Sequence, residues 1–399
     1  MLTLQPTHER EGTPPGGPLG TTPTTVAALV RGGARDLIRV VRRDERYTLR
    51  DRLRAVTTLP RVGKCGWAAL GEVVEVKSAE PAAHFAGVLI CGRVWTCPVC
   101  APKIRQGRAV EIEAALRGAI GQGLGVEFAT LTFAHHRGQA LGYLLDSQRS
   151  IWRATRQDHQ MRAVFKQLGF VGLLNVQEIT HGDNGWHPHR HMAMVFERPL
   201  TLEERAALEN ALWAAWERAL TARGFSALRQ YGAVVKQVTV AEGIAAYLAK
   251  VEGKSIGLEM ARGDLKTSKR KGRTPHQILG DVFDQGEAVD LELWHEYERA
   301  TAGRKMMTWT PGLRRRLVGE VPEATDEELA EADAGGEVVA LLWREAWRVV
   351  RAASPGGVEC LRAAENGVEA LGQYLALVVP LEPGEGRWLL IKPRQEKVA

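Results

Sequence analysis

Three histidines occupy alternate positions near the middle of this chain, at His187, His189 and His191. Because successive side chains of a strand point to opposite faces, an extended backbone places all three on one face. Two or three neutral imidazoles with a nearby carboxylate suit Mn²⁺, Fe²⁺ or Zn²⁺, and suit Mg²⁺ less readily. The pattern predicts a metal site. The alternative is a polar turn that leads into a strand whose histidines face water.

A carboxylate for the same ion is available at Glu178, in the preceding strand candidate. The stretch Gly182-Asp183-Asn184-Gly185 predicts a hairpin with a fairly long loop centred near Asp183. The positions that face His189 and His191 then lie just before the turn, where Glu178 stands. We therefore expect Glu178 to be a third ligand, and the alternative is an exposed strand acid.

A tyrosine and a lysine, Tyr247 and Lys250, fall on one turn of a helix predicted to begin near Glu242. A phenol attacks a phosphodiester poorly at its ordinary pKa of about 10, so a metal ion or a nearby cation must assist it. Lys250 can orient the phosphate or stabilise its charge in the transition state. The tetrapeptide alone is a weak signal, because such a tyrosine more often packs in a core, but it follows the histidine strand by one strand and one helix.

Four of the five cysteines lie before residue 101, at Cys65, Cys91, Cys97 and Cys100. Four thiolates are the number that a tetrahedral structural zinc requires. His84 is the alternative to Cys65 as fourth ligand, because the separation between Cys65 and Cys91 is long. The competing interpretation is a group of buried free cysteines, and we expect Cys360 to be an ordinary core thiol.

The charge of the chain favours a polyanionic partner. The 399 residues include 53 Lys and Arg against 47 Asp and Glu, a formal net charge of +6. Basic residues are concentrated between 262 and 273, although a charge run is usually a solvated face; the candidates for DNA contact are Lys269, Arg270, Lys271 and Arg273. Five cysteines exclude a disulfide scaffold, and the sequence has neither a signal peptide nor a long apolar run. We expect a cytoplasmic protein with no membrane partner.

The elements that must position these residues follow from apolar periodicity. Predicted strands cover 126–133, 170–180, the histidine segment and 233–240. Predicted helices cover 105–120, 141–167, 201–223 with a capping box at Thr201, and a stretch from about 242. This order is typical of an α+β domain with a central, mainly antiparallel sheet and flanking helices. Helices at 291–302 and 336–353, with a short strand near 388–391, predict a largely helical C-terminal region.

Composition divides the chain into five segments. Residues 1–25 are rich in Pro, Gly and Thr and are expected to be a disordered lead. A basic helical segment covers 26–60, and a cysteine knuckle with its helix covers 61–120. The α+β domain that carries the histidine motif and Tyr247 covers 121–265, and an accessory region covers 266–399.

Three motifs, taken in order, resemble those of the HUH endonuclease superfamily. They are Thr130-Leu131-Thr132-Phe133, Glu178 with His187-Pro188-His189-Arg190-His191, and Tyr247-x-x-Lys250. The segments 91–100 and 178–189 are similar to those of the rolling-circle replication initiators (Rep proteins) of plasmids from actinobacteria and other Gram-positive bacteria. The resemblance covers about residues 61–255.

The resemblance implies a ferredoxin-like or RRM-like core and a metal-dependent DNA endonuclease and strand transferase. His189, His191 and Glu178 would hold Mg²⁺ or Mn²⁺, with His187 as a further ligand or a DNA contact. Tyr247 would attack the scissile phosphate to give a 5′-phosphotyrosyl enzyme and a free 3′-hydroxyl that primes replication. Glu242 is a weak choice for the base that activates a terminating water. The implied partners are plasmid origin DNA, single-stranded or cruciform, and a host helicase and polymerase.

Arg190 departs from the family pattern, because the residue between the paired histidines is usually apolar. We expect its side chain to lie on the opposite face of the strand and to snorkel to the surface. A conjugative relaxase or a transposase would share the chemistry, but the absence of a helicase-like segment and the cysteine knuckle favour the initiator. Two other classes remain as alternatives: a non-catalytic, zinc-stabilised DNA-binding repressor, and a metallohydrolase that acts on a small molecule.

Overall fold

The computed structural model describes residues 43–79, 82–238, 272–332, 335–379 and 387–391. Its strands are β1 (Val73–Ser78), β2 (His84–Ala86), β3 (Gly125–Leu131), β4 (Phe170–Gly182), β5 (Gly185–Phe196), β6 (Ala233–Gln237), β7 (Met307–Trp309), β8 (Glu337–Trp343) and β9 (Trp388–Leu390). Its first seven helices are α1 (43–53), α2 (Pro60–Gly63), α3 (Cys100–Gly121), α4 (Leu141–Gln157), α5 (His159–Gln167), α6 (Leu202–Thr221) and α7 (Arg229–Gly232). They are followed by α8 (Pro275–Asp284), α9 (Ala288–Thr301), α10 (Leu313–Val318), α11 (Asp326–Glu331), α12 (Arg344–Ala353), α13 (Val358–Glu365) and α14 (Val368–Val378).

The central sheet has the strand order β6-β3-β5-β4-β7, and every neighbouring pair is antiparallel. Its longest pairing is the β4–β5 hairpin, in which Phe170 faces Phe196 and Gly182 faces Gly185. The predicted α+β class with a mainly antiparallel sheet is therefore confirmed.

The hairpin turn is tighter than predicted. Gly182 pairs directly with Gly185, so only Asp183 and Asn184 form the turn. Gly185 has a φ of +84°, and a Cβ at this position would lie 2.9 Å from the Cα of Arg137. The predicted long loop was wrong because glycine at the end of the turn allows the left-handed backbone that a two-residue connection needs.

Hydrogen bonds attach helices to the central sheet near the start of the histidine strand, β5. The indole of Trp216 in α6 donates to the Thr132 carbonyl at 3.0 Å, just after β3 ends. Near the turn, the indole of Trp186 donates to Glu296 of α9 at 2.8 Å, and the same carboxylate accepts from the Leu141 amide at 2.6 Å. The sheet is thus fixed to α4, α6 and α9 around the histidines.

A second antiparallel sheet has the order β2-β1-β8-β9 and covers a separate apolar core with α12, α13 and α14. The single helix predicted over 336–353 was wrong in its first half, because β8 pairs with β1 over most of its length before α12 begins. Its branched apolar residues, including Val338 and Val339, fit a strand that is buried on one face. Most of the secondary structure described beyond 266 is helical, as predicted, and the region also supplies β7 to the central sheet.

Several element boundaries differ from expectation for local reasons. The helix predicted over 141–167 divides at Asp158, whose carboxylate accepts from the Met161 amide at 3.0 Å and begins α5. The capping box at Thr201 with Glu204 is confirmed. The predicted helix over 291–302 and the strand near 388–391 are also confirmed. None of the helices in the described ranges combines the length and the apolar character needed to cross a bilayer.

Candidate functional site

The β4–β5 register places the predicted ligands on one face of the central sheet. Glu178 faces His189 directly, and Thr180 faces His187. The rings of His187 and His189 lie 4.0 Å apart between centroids, and those of His189 and His191 lie 6.1 Å apart and nearly parallel. The prediction that three imidazoles and the Glu178 carboxylate share a face is therefore confirmed.

His191 is held from three sides. Its Nε2 lies 2.8 Å from Glu178 Oε2, and its Nδ1 lies 3.2 Å from the Thr130 hydroxyl. Because a carboxylate only accepts, Nε2 carries the proton and Nδ1 accepts from the hydroxyl. Phe128 stacks on the ring at 5.7 Å between centroids. The orientation of His191 is thus fixed before any ligand binds.

His187 is held by groups that sequence reasoning did not assign. Its Nε2 lies 3.2 Å from the Thr132 hydroxyl, and its Nδ1 is hydrogen-bonded to Nε2 of His135. His135 also bonds the Asn184 carbonyl through Nδ1 at 2.9 Å, which ties it to the hairpin turn. Burial lowers the pKa of His187 to about 4, the nearby His135 adds to the shift, and Glu178 opposes it. The ring is neutral at pH 7, the form in which imidazole binds metal.

A cleft of about 680 Å³ opens in front of these histidines. Its walls include His135, His187, His189, Tyr231 and Leu228. Tyr231 is 56% exposed and was not singled out from the sequence, because a lone tyrosine in an irregular stretch gives no pattern. His135 had one available signal, since it lies two residues after the Thr130–Phe133 motif and has His136 beside it.

The imidazoles and Glu178 are close neighbours, but their ligand atoms do not converge on a single metal position. In the described ranges, the four cysteines are the only group of three or more such side chains whose ligand atoms all lie within 4.8 Å of one another. At the histidine face, Glu178 instead bonds the proton on His191 Nε2. A divalent ion would take the place of this proton, and the donor set of imidazole and carboxylate fits Mn²⁺ in particular.

The four predicted zinc ligands meet in the core at the start of α3. Their sulfurs lie 3.5 Å apart for Cys65 and Cys100, 3.6 Å for Cys91 and Cys100, and 3.7 Å for Cys97 and Cys65. A tetrahedral ion with Zn–S bonds of about 2.3 Å would place its sulfurs roughly 3.8 Å apart. Hydrogen bonds from Cys100, and then from Cys91 and Cys97, lower the pKa of the Cys65 thiol. The four cysteines could therefore bind a structural metal.

The fourth member of this group is Cys65, whereas His84 lies in β2 of the second sheet. Cys360 is buried in the second core as a free thiol, as predicted.

Of the remaining predicted site residues, the structure describes only Arg273. Tyr247, Lys250, Glu242, Lys269, Arg270 and Lys271 lie outside the described residues. Arg273 is described, and its guanidinium pairs with Asp290 at 2.7 Å and with Asp281 at 2.6 Å. The bond to Asp290, and then that to Asp281, raises the pKa of Arg273. Arg273 thus forms ion pairs with two carboxylates, and its contact with DNA remains a prediction.

Arg190 lies on the opposite face of β5, as expected, but it does not snorkel. Its side chain is buried, and Nη1 donates to Asn175 Oδ1 at 2.7 Å. The expectation was wrong because α4 and the loop after α9 cover this part of the sheet, so the guanidinium ends in a pocket rather than in bulk water.

Comparison with known proteins gives two relatives. Over 364 aligned residues the chain is 32% identical to Protein rep from Streptomyces lividans, which covers 74% of this chain and 79% of that protein. A shorter match, 28% identical over 144 residues, is to Neomycin resistance protein from Streptomyces cyanogenus and covers 30% of this chain and 33% of that protein. No family model matches the chain, and no solved structure matches it.

Proposed function

This chain belongs to the family of the Streptomyces lividans Protein rep, the Rep-type replication proteins, and from that premise we propose that it initiates rolling-circle replication of a plasmid. In this proposal it nicks and joins single-stranded origin DNA through an HUH-type site. The observation that carries the proposal is the Glu178–His191 hydrogen bond beside His189, at the wall of an open cleft.

His189, His191 and Glu178 would hold a Mg²⁺ or Mn²⁺ ion, and His187 would be a further ligand or a contact for DNA. When bound, the ion supplies Lewis-acid polarisation of the scissile phosphate. The Thr130 hydroxyl can both accept and donate, so it continues to orient His191 when the proton moves from Nε2 to Nδ1. Neutral His187 adds no positive charge that would repel a cation.

Tyr247 is the proposed nucleophile. Its phenol oxygen forms a bond to phosphorus and releases its proton, while the bond from phosphorus to the 3′ oxygen breaks and that oxygen gains a proton. The DNA is left with a free 3′-hydroxyl and a 5′-phosphotyrosyl link, so joining is the reverse reaction. Lys250 would stabilise the charge on the phosphate, and Glu242 would activate a terminating water.

The test uses end-labelled single-stranded oligonucleotides tiled along both strands of the replicon that encodes the chain. Incubated with the full-length protein and Mn²⁺, one oligonucleotide should give an adduct that survives denaturing electrophoresis, with the 3′ label on the protein. Tyr247→Phe should abolish the adduct. Tyr231→Phe is the matched control, because Tyr231 lines the described cleft, and it should keep the adduct.

Each competing result has a definite meaning. An adduct that persists in Tyr247→Phe and disappears in Tyr231→Phe would assign the nucleophile to the wrong tyrosine. A protein that binds an oligonucleotide, gives no adduct and does not respond to Mn²⁺ would be the zinc-stabilised repressor instead. Contacts with a host helicase and polymerase, and a cytoplasmic location, remain predictions.

Zinc is the proposed metal of the four-cysteine group. The sulfur separations of 3.5 to 3.7 Å suit a tetrahedral ion, and thiolate ligands select zinc over Mg²⁺ or Mn²⁺. This site would serve the fold, and the histidine site would serve the reaction.

A further inference from the structure

A second pocket, of about 400 Å³, lies on the face of the central sheet that is turned away from the histidines. Its floor is formed by Asn175 and Gln177 of β4 with Arg190 of β5, and its walls by α4 and the loop after α9. Strand alternation explains the separation, because Arg190 stands between two histidines and points to the opposite side. This pocket is therefore distinct from the histidine cleft.

Arg190 is a buried cation at the bottom of this pocket. The residue is 9% exposed, and in the described ranges it forms no ion pair with a carboxylate. Its Nη1 donates to the neutral amide of Asn175, whereas its buried Nε has no hydrogen-bond partner among the described residues. A buried charge is costly unless an opposite charge and hydrogen bonds compensate it. The protein has therefore placed a guanidinium where a counter-charge is missing.

The surroundings add positive charge. The described residues that line the pocket include Arg149, Arg190, Arg304 and Lys305, and none of them is acidic. Arg304 is partly neutralised by the exposed Asp146, at 3.0 Å, which lies outside the lining.

We propose that this pocket binds the phosphate group of a nucleotide, with Arg190 as the buried anchor and Arg149 and Lys305 at the mouth. The planar guanidinium fork matches the oxygens of a phosphate, and several cations favour a phosphate over a single carboxylate. The volume lies within the range of pockets that hold small ligands. The phosphate can belong to a free nucleotide or to a DNA strand, and the site does not depend on the metal chemistry proposed for the opposite face.

Calorimetric titration of the full-length protein, in buffer without Mg²⁺ or Mn²⁺, tests the proposal. The probes are inorganic phosphate, thymidine monophosphate and a single-stranded oligonucleotide of six thymidines. We expect saturable binding of at least one probe. The double variant Arg149→Ala/Lys305→Ala should weaken it about tenfold or more, because charge-assisted contacts to phosphate are lost. Arg162→Ala removes a positive charge from an exposed position of α5 and should leave the affinity unchanged.

Arg190→Gln should also weaken binding about tenfold or more, but this variant lies between two histidines, so the double variant is the primary test. Thermal unfolding checks that each variant is folded. If the monophosphate binds and the variants weaken it, the source is a free nucleotide. If only the oligonucleotide binds and the variants weaken its binding, the phosphate belongs to a DNA strand. If no probe binds, or if the double variant binds as the wild type does, the pocket is not a phosphate site.

Discussion

At the scale of single residues, the candidate site depends on side chains that orient the ligands. Thr130 and Phe128 of β3 hold His191 from the side opposite to Glu178, and His135 and Thr132 hold His187. Such partners fix the tautomer and the direction of the lone pair that a metal uses. Their loss should weaken metal binding, although their spacing in the sequence does not indicate a metal site.

Thr130→Val tests whether the Thr130 hydroxyl orients His191 for metal binding. The variant keeps the shape of the side chain and removes the hydroxyl that lies 3.2 Å from His191 Nδ1, so we expect Mn²⁺ affinity to fall about tenfold. Mn²⁺ binding can be followed by electron paramagnetic resonance. Thr180→Val is the control, because Thr180 lines the histidine cleft and its hydroxyl makes no hydrogen bond to a histidine among the described residues. Equal affinities for the two variants would show that Thr130 does not orient a ligand.

His181, near the end of β4, predicts a dependence of stability on pH. Burial, and then the charges of Arg273 and Arg137, lowers the pKa of His181 below its ordinary value of 6.5. The unfolded chain therefore binds more protons than the native state as pH falls below about 6.5, and the free energy of unfolding decreases. Urea unfolding at pH 7.5 and 5.5 should show a smaller loss in His181→Gln than in the wild type. An equal loss in both proteins would contradict the assignment.

At the scale of elements, strand alternation and the capping box of α6 were readable from the sequence, whereas the helix cap at Asp158 and the pairing of distant strands were not. The face shared by His187, His189 and His191 follows from the strand period of two, and the start of α6 follows from Thr201 and Glu204. At Asp158 the backbone can either continue α4 or leave the helical conformation and cap α5, and the sequence pattern does not distinguish the two. The identity of β8 depends on a partner, β1, that lies more than 250 residues away in the chain.

The tight hairpin turn gives a prediction at this scale. Gly185→Ala should destabilise the protein by about 1–3 kcal/mol, because the left-handed backbone is strained for alanine and its Cβ would approach Arg137. Gly142→Ala is a matched control in α4, where a Cβ would meet nothing within 4 Å, and it should stabilise by about 0.5–1 kcal/mol. Chemical unfolding measures both. Destabilisation of similar size in the two variants would contradict the assigned turn.

At the scale of the whole molecule, pairing crosses the segments that composition suggested. The segment after 266 contributes β7 to the central sheet and β8 to the second sheet. The cysteine segment contributes β1 to that second sheet and α3 to the main core. Composition could not indicate these connections, because they join stretches that are ordinary in themselves and distant in sequence.

The four-cysteine group lies at the start of α3, in the main core. Loss of one of its sulfurs should therefore lower the stability of the entire protein. Cys97→Ser should reduce zinc content from about one ion per chain to none and lower the free energy of unfolding by at least about 3 kcal/mol, because metal binding contributes to folding. Elemental analysis and denaturant unfolding measure the two effects. Cys360→Ser is the control, since it changes a buried thiol in the second core and should keep the zinc. Full zinc content in Cys97→Ser would mean that Cys97 is not a ligand. Wild-type protein without zinc would mean that the sulfurs are packed together without an ion, and the fold would then depend on apolar burial alone at this point.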